Sequence, residues 1–352
     1  MNLVSKLFSA IGLVVLVSSC GNSPESKKSP FSISISDAKK SYTVGDDISV
    51  TIKNKENLEI DSVVYSVAEK RVKSASSASA VQLMLTDEKV GSKILSAEIY
   101  SDGNKFATNT SITVVPKDAP QVYTYEIIES YPHDQGAFTQ GLEFHGDTLY
   151  EGTGQKGASS LRKTNYKTGE VLNTVSLANE YFGEGITILN DKIYQLTWQK
   201  KTGFIYDLSS MDKTGTFVFN KSIEGWGLCN DGSAIYKSDG TEKIWTLNAN
   251  TLAEEDYIEI YTNKQKIKRV NELEWVDGKI YANIWERNSI AIVDPTTGAV
   301  EGVINMSGLQ KEVTQHAKLD VLNGIAYKGE PNILYVTGKN WDKLFKIRVV
   351  KK

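Results

Sequence analysis

The stretch Asn179-Glu-Tyr-Phe-Gly-Glu-Gly-Ile-Thr187, continued by Ile193-Tyr-Gln-Leu-Thr-Trp198, decides how this chain is read. A charged residue, Glu184, is wedged between two glycines at the start of one strand, a tight turn follows at Asn190-Asp191, and a second strand returns to Trp198. In a hairpin, the residue opening the first strand and the residue closing the second lie at one rim. Glu184 and Trp198 are therefore expected to be neighbours.

The same pattern is written four more times. It recurs from Phe138-Thr-Gln140-Gly141-Leu to Leu149-Tyr-Glu-Gly, and from Gly225-Trp226-Gly227-Leu to Ala234-Ile-Tyr-Lys-Ser-Asp239. It recurs again from Asn271-Glu272-Leu-Glu-Trp275 to Ile280-Tyr-Ala-Asn-Ile-Trp285, and from Asn323-Gly324-Ile-Ala-Tyr327 to Ile333-Leu-Tyr-Val-Thr-Gly-Lys339. With Gly141, Gly185, Gly227, Leu273 and Gly324 taken as equivalent, the steps are 44, 42, 46 and 51 residues. A period of about 40 to 50 residues built of short strands signals propeller blades. Five copies predict five blades. Each copy continues into a third apolar strand and the first four into a fourth, whereas the last reaches Lys352 without one. Residues 125–131, ahead of the first copy, are expected to supply the missing outer strand and hide an open sheet edge.

The segments before the repeats read differently. Lys6, an apolar run over residues 11–17 and then Ser18-Ser-Cys20 make residues 1–20 resemble a bacterial lipoprotein signal, with Cys20 as the lipid attachment point. The apolar run is too short to span a bilayer. An ordinary export signal with an incidental cysteine is the alternative. Residues 21–30, polar with Ser and Pro, suit a tether between anchor and domain. The expectation is an exported bacterial lipoprotein of the cell envelope, held to the membrane by its lipid. Cys20 and Cys229 are the only two cysteines, so lipidation of Cys20 leaves Cys229 without a disulfide partner and as buried filling in a strand.

Residues 31–117 are rich in Ser, Val, Ile and Thr and show period-two alternation in Phe31-Ser-Ile-Ser-Ile35, Ile48-Ser-Val-Thr-Ile52, Val81-Gln-Leu-Met-Leu85 and Ile112-Thr-Val114. That pattern predicts a small immunoglobulin-like β-sandwich serving as a spacer or docking domain. Residues 118–352 contain all six tryptophans. The fold class predicted for the whole chain is all-β, a five-bladed β-propeller preceded by the sandwich. A formal charge of −3 argues against a nucleic-acid partner, which would require a basic surplus. A monomer is expected.

In a propeller, first strands line the axis, so Gln140, Glu184, Trp226, Glu272 and Asn323 are expected at one mouth. The second strands deliver Glu151 to Thr153, Trp198, Asp239, Trp285 and Lys339 to the same end. Equivalent positions under structural constraint alone would carry similar residues. Here they vary from copy to copy, Gln, Glu, Trp, Glu and Asn in the first set, which points to binding. The set holds a carboxylate, amides, an ammonium and at least three indoles. His133, His145 and His316 lie outside it, so neither zinc ligation nor a Ser-His-Asp relay is supported, and no metal or other cofactor is expected. A carboxylate walled by indoles has a raised pKa and suits proton transfer near neutral pH. Glu184 as a salt-bridged structural carboxylate, the tryptophans as blade packing and Lys339 as a solvated rim lysine are the bland alternatives. Trp245 and Trp275 are read as packing and Trp226, between two glycines, as pocket wall.

These residues resemble the glutaminyl-peptide cyclotransferases of the plant and bacterial type. The likeness is carried by Phe138-Thr-Gln-Gly-Leu142, Phe182-Gly-Glu-Gly-Ile-Thr187, Leu196-Thr-Trp198, Glu224-Gly-Trp-Gly-Leu228, Ser238-Asp-Gly240, Asn271-Glu-Leu-Glu274, Ala282-Asn-Ile-Trp285 and Thr337-Gly-Lys-Asn-Trp341. It covers roughly residues 123–350. The resemblance implies a metal-independent propeller enzyme that acts on peptides or proteins with an N-terminal glutamine and forms pyroglutamate. It implies Glu184 as proton shuttle, with Lys339 and Asn271 orienting substrate or stabilising charge. It implies Gln140 as a substrate contact, and Phe138, Phe182, Trp198, Trp226 and Trp285 as apolar walls. Cys229 departs from the family, which tends to have Thr there; strand alternation turns it away from the mouth. The long insertion between Asn305 and Asn323 is positioned to cover the mouth. A non-catalytic propeller binding peptide or sugar stays open beside the enzyme, as does a metal-dependent hydrolase built on channel carboxylates.

Overall fold

The computed structural model describes residues 29–86 and 88–352 and is built almost entirely of strands. The leader, most of the tether and Cys20 lie outside the described residues. In the first part, the strands Phe31–Ile35, Asp47–Asn54 and Val81–Met84 form one sheet. Tyr42–Thr43, Ser62–Val67, Lys70–Ala75, Gly91–Ser101 and Asn104–Val115 form a second. Alternation sends every other residue inward, so Ile48, Val50 and Ile52 of the first sheet meet Val63, Tyr65, Leu95, Ala97, Ile99 and Ile112 of the second in one core. The hairpin joining the two longest strands turns at Asp102-Gly103, both with positive φ, as a two-residue turn that matches strand twist requires.

The second part consists of five four-stranded sheets in succession. Thr139–His145, Thr148–Thr153, Ser160–Asn165 and Glu170–Ser176 make the first; Gly183–Leu189, Lys192–Thr197, Thr202–Asp207 and Lys213–Val218 the second. The third is Leu228–Asn230, Ala234–Ser238, Lys243–Asn248 and Glu254–Glu259, and the fourth Val270–Val276, Lys279–Ile284, Ser289–Val293 and Val300–Asn305. Leu322–Ala326, Ile333–Gly338 and Lys343–Lys351 make the fifth, completed by Gln121–Pro132 as its outermost strand. That strand also pairs in parallel with Val300–Asn305 through residues 121–123, so the fourth and fifth sheets are continuous at their outer edges.

The first strand of each sheet lies beside the first strand of the next, and the fifth lies beside the first, which closes a circle. The apolar seams follow the same order. Tyr150 and Leu161 pack on Ile186 and Phe204, then Leu189 and Leu196 on Leu228 and Trp245. Cys229 and Ile244 pack on Leu273 and Ile280, Ile290 and Ile292 on Ile325 and Leu334, and finally Tyr335 and Leu344 on Leu142 and Leu149. A sheet flanked by two others buries both faces, which is why Ile333–Gly338 has no exposed residue. Cys229 is buried filling in one of these seams and its thiol is pushed well up by burial, as the strand reading expected.

The two parts touch. The Ser92 N–H donates to Glu259 Oε2 at 2.7 Å, the Val90 N–H donates to Thr297 O at 2.8 Å, and Val90, Val115 and Tyr261 form a small apolar contact.

Candidate active site

Around the closed circle, the inner strands approach so closely that a side chain cannot fit between them. A Cβ on Gly185 would stand 2.6 Å from Trp226 O, and one on Gly227 would stand 2.2 Å from Asn271 O. The Gly185 N–H instead donates to Trp226 O at 2.7 Å. Three of the glycines taken as equivalent in sequence, Gly141, Gly185 and Gly227, are thus points where neighbouring backbones meet, whereas Gly324 faces side chains.

The residues beside those glycines are re-aimed by breaks in strand register. Pairing slips at Thr139/Gly141, Gly183/Ile186, Val270/Leu273 and Leu322/Ile325, that is, around Gln140, Glu184, Asn271 and Asn323. In the third sheet the regular strand begins only at Leu228, and Trp226 and Gly227 both bond to Ser238, two residues against one. A bulge lets an inner strand turn a side chain out of the ladder toward a site. Five such breaks at one end of the ring turn Gln140, Glu184, Trp226 and Asn271 toward the axis, with Asn323 held behind Gln140.

They open onto a cavity of 450 Å³, within the range typical of small-molecule sites. Glu184, Asn271, Gln140 and Lys339 line it, together with Phe138, Phe182, Trp198, Trp226 and Trp285. All nine pocket residues named from the sequence are brought together. The rings brace one another: Phe138 and Phe182 meet edge to face at 6.0 Å, Phe182 and Trp198 at 5.7 Å, and Trp226 and Trp285 at 5.8 Å. Trp226 lies across Gly240, where a Cβ would be 2.6 Å from its ring, so the Ser238-Asp-Gly240 turn is shaped to the indole.

Glu184 is buried, and its Oε2 has no hydrogen-bond partner among the described residues. Burial pushes its pKa well above the carboxylate range; Lys339 opposes the shift and Glu224 adds to it. Lys339 is buried with its ammonium 4.8 Å from the centre of the Phe138 ring. Burial lowers its pKa, against the pull of Glu184 and Asp320. Asn271 Oδ1 is a second buried acceptor without a partner. Gln140 Oε1 accepts from Asn323 Nδ2 at 3.1 Å, and Asn323 also reaches Thr139 O at 3.0 Å. The amide nitrogen of Gln140 is left for the cavity. Unpartnered buried polar atoms cost stability, and here two such acceptors, Glu184 Oε2 and Asn271 Oδ1, belong to residues that line one small apolar-walled space together with Gln140 and Lys339.

Several mouth positions expected from strand ends are occupied differently. Glu151 is turned into the sheet, where Thr139 Oγ1 donates to it at 2.7 Å and His133 Nε2 lies 3.2 Å away. Asp239 accepts from Trp245 Nε1 at 2.8 Å and from the Thr241 N–H at 3.0 Å, leaving it no part in the cavity. Glu272 is carried past the bulge to the other side of its strand and accepts from the Ile325 N–H at 2.9 Å. There it joins Glu143 and Glu274, which accept from the Ile188 N–H at 3.1 Å and the Tyr327 N–H at 2.7 Å. These carboxylates tie inner strands together; burial raises the pKa of each. Trp245 and Trp275 are packing residues, the latter stacked on Tyr236 at 5.5 Å. Among the described residues, no cluster of three His, Cys, Asp or Glu side chains is arranged to hold a metal ion.

Sequence reasoning missed Glu224. One of its oxygens accepts from both Trp198 Nε1, at 2.6 Å, and Trp226 Nε1, at 2.8 Å, so one carboxylate fixes two walls of the cavity. Its carbonyl is held from beneath by Lys237 Nζ at 2.8 Å. Lys237 is itself buried beside Glu254, and burial pushes its pKa down to about 8. Gln155, Glu286, Asp320 and Val321 also line the cavity. The last two come from the long insertion after Asn305, which contains a short 3-10 turn at Leu309–Glu312 and is secured by Gln310 Nε2 donating to Asp320 O at 2.9 Å. Reciprocal backbone bonds between Lys339 and residues 320 and 321 fasten the insertion to the lysine it overlies.

Comparison with known proteins agrees with this geometry. Residues 100–349 match the family model described as glutamine cyclotransferase. A glutaminyl-peptide cyclotransferase of Arabidopsis thaliana is 39% identical over 227 residues, which are 64% of this chain and 71% of the relative. The crystal structure of Myxococcus xanthus glutaminyl cyclase superposes with a TM-score of 0.62 and 32% identity, covering 66% of this chain and 99% of that one. The chain therefore belongs to the glutamine cyclotransferase family of enzymes.

Proposed function

We propose that the chain converts the N-terminal glutamine of peptides and proteins to pyroglutamate with release of ammonia, and that Glu184 moves the proton this requires. The reaction joins the α-amine nitrogen to the side-chain amide carbon of the same residue. An oxyanion forms on the amide oxygen, the bond to the amide nitrogen breaks, and ammonia leaves. The amine loses one proton and the departing nitrogen gains one, so a single carboxylate can serve both transfers. Glu184 suits this because its raised pKa makes its protonated form a usable acid near neutrality and its free Oε2 can receive the amine proton.

The other polar groups divide by chemistry. Asn271 Oδ1 accepts the second amine N–H, and the ammonium of Lys339 and the amide nitrogen of Gln140 donate to the oxygen on which charge develops. Phe138, Phe182, Trp198, Trp226 and Trp285 enclose the flat five-membered product and fold the flexible side chain toward attack. The step needs no Lewis acid, since both the proton carrier and the oxyanion donors are side chains. The observation that carries this reading is the buried, unpaired Glu184 facing the unpaired Asn271 acceptor inside a ring-walled cavity.

The ring of five sheets is read as a five-bladed β-propeller and residues 31–117 as an immunoglobulin-like sandwich; the closed succession of inner strands and the shared two-sheet core support these readings. The sequence ahead of them supports an envelope lipoprotein anchored through Cys20. Cys20→Ala should then move the protein from the membrane to the soluble fraction. The enzymatic reading is tested by incubating the protein with a short glutamine-started peptide, with and without a chelator. Loss of the mass of one ammonia in both samples is expected. An unchanged peptide mass would overturn the reading, and loss only without chelator would overturn its metal independence.

A further inference from the structure

A groove of 920 Å³ runs beside the cavity, and Trp285 and Glu286 line both. From that shared wall it passes along the fourth sheet to its outer strand, where Ala291, Val300 and Val303 form an apolar floor. Its rim carries Lys266, Lys268, Arg269 and Arg287 against one lining carboxylate, Glu286, and the neighbouring Glu242. Lys266 is paired with Glu242 at 2.6 Å. Arg269 is paired with Glu286 and lies 5.0 Å from the centre of the Trp285 ring. Lys268 and Arg287 are exposed and in no close ion pair among the described residues, although Lys268 stands near enough to Glu242 to help lower that carboxyl's pKa. A chain whose formal charge is −3 thus presents a local positive field at the exit from its cavity.

We propose that this groove binds the polypeptide behind the N-terminal glutamine and selects chains with Asp or Glu in the residues that follow. The proposal rests on the cyclisation reading, which puts the glutamine in the cavity and obliges the rest of the chain to leave it. A cavity of 450 Å³ takes the glutamine and at most a residue or two beyond it, and the wall it shares with the groove leads over Trp285. An extended chain advances about 3.3 Å per residue, so several residues fit along the fourth sheet. Apolar side chains meet the floor, while acidic ones meet Lys268 and Arg287, and their negative field speeds encounter as well as docking.

The experiment compares two labelled peptides of equal length, each starting with glutamine and carrying either four Asp or four Lys from the third residue on, with a glutamine dipeptide as the short reference. The wild-type protein should turn over the acidic peptide with kcat/KM about fivefold to tenfold above the basic one at low salt, as expected for two exposed charge pairs. The preference should shrink at high salt. In the double variant Lys268→Glu/Arg287→Glu the preference should invert, while kcat/KM for the dipeptide, too short to reach the groove, stays constant. Equal turnover of the two long peptides overturns the proposal, as does an equal loss on the dipeptide. Should no peptide be cyclised, the catalytic reading fails separately. Fluorescence anisotropy on the same labelled peptides then decides the groove: tighter acidic binding that the double variant abolishes sustains it, and equal affinities overturn it.

Discussion

Glu224 offers a perturbation whose size can be worked from the geometry. One oxygen of this carboxylate accepts from two indole nitrogens, at 2.6 and 2.8 Å, and the other from Gln199 Nε2 at 3.2 Å. Charge-assisted bonds of this kind contribute about 1.5–3 kcal/mol each when buried. Glu224 is half-buried, so the lower end applies, and losing both indole bonds costs roughly 2–3 kcal/mol. For a domain of this size that lowers Tm by about 4–10 °C. Glu224→Ala should show the full loss and Glu224→Gln, which keeps a neutral acceptor, about half of it. A second effect separates positioning from mere stability. The negative charge of Glu224 helps to raise the Glu184 pKa. Removing that charge should let Glu184 ionise more easily, so the acid limb of kcat/KM moves to lower pH in both variants while KM for a glutamine dipeptide rises. Calorimetry and a pH–rate profile on the same preparations test this. A Glu224→Gln protein with a lowered Tm but an unmoved acid limb and unchanged KM would refute the reasoning.

Other expectations follow from the same contacts. Lys339 opposes the rise in the Glu184 pKa, so Lys339→Met should move the acid limb to higher pH and lower kcat by roughly 100-fold through loss of an oxyanion donor; a pH–rate profile whose limb stays put contradicts this. Gly185→Ala puts a Cβ 2.6 Å from the Trp226 carbonyl oxygen and 2.7 Å from Gly227 Cα, both backbone, so it should cost about 2 kcal/mol or more, read as a fall in Tm. Burial, then the nearby Glu143, raises the Glu274 pKa. A carboxyl whose folded-state pKa is raised contributes stability below its unfolded value, and loses it as pH climbs through the folded value. Glu274→Gln keeps an acceptor for the Tyr327 N–H without that loss. Its Tm should match the wild type near pH 4.5 and exceed it at pH 8; equal Tm values at both would contradict the buried-carboxyl account.

Much of the ring was legible because it is written in local chemistry. The hairpin turns are short and carry positive φ, as at Asn190-Asp191 and Asp277-Gly278, and such turns recur visibly in sequence. Gly141, Gly185 and Gly227 between them are fixed by backbone contact across neighbouring sheets, so they too repeat. Register breaks are harder to read. A bulge changes which of two adjacent residues faces the axis, so Asn271 lines the cavity and Glu272 does not, although simple alternation put Glu272 at the mouth. Glu151 and Asp239 stand at plausible rim positions, yet His133 and Trp245 draw them into the sheets. Glu224 was visible only as a neighbour of Gly-Trp-Gly, because its role depends on an indole from the preceding sheet. The cationic groove was only partly legible: Lys266-Ile-Lys-Arg269 is a basic run, but the fold alone brings Arg287 and the floor of the fourth sheet beside it. The parallel pairing of residues 121–123 with Val300–Asn305 likewise has no mark in either segment.

The measurement that bears most directly on the central claim is made on Glu184→Gln, by following both binding and turnover of one glutamine-started peptide. The substitution keeps shape and removes the proton carrier. The account predicts that cyclisation falls by about 100- to 10,000-fold while affinity, measured by titration calorimetry, changes little. Turnover that persists near the wild-type rate, or that falls only in step with lost affinity, would contradict a proton-carrying role for the buried carboxylate at the axis of the ring.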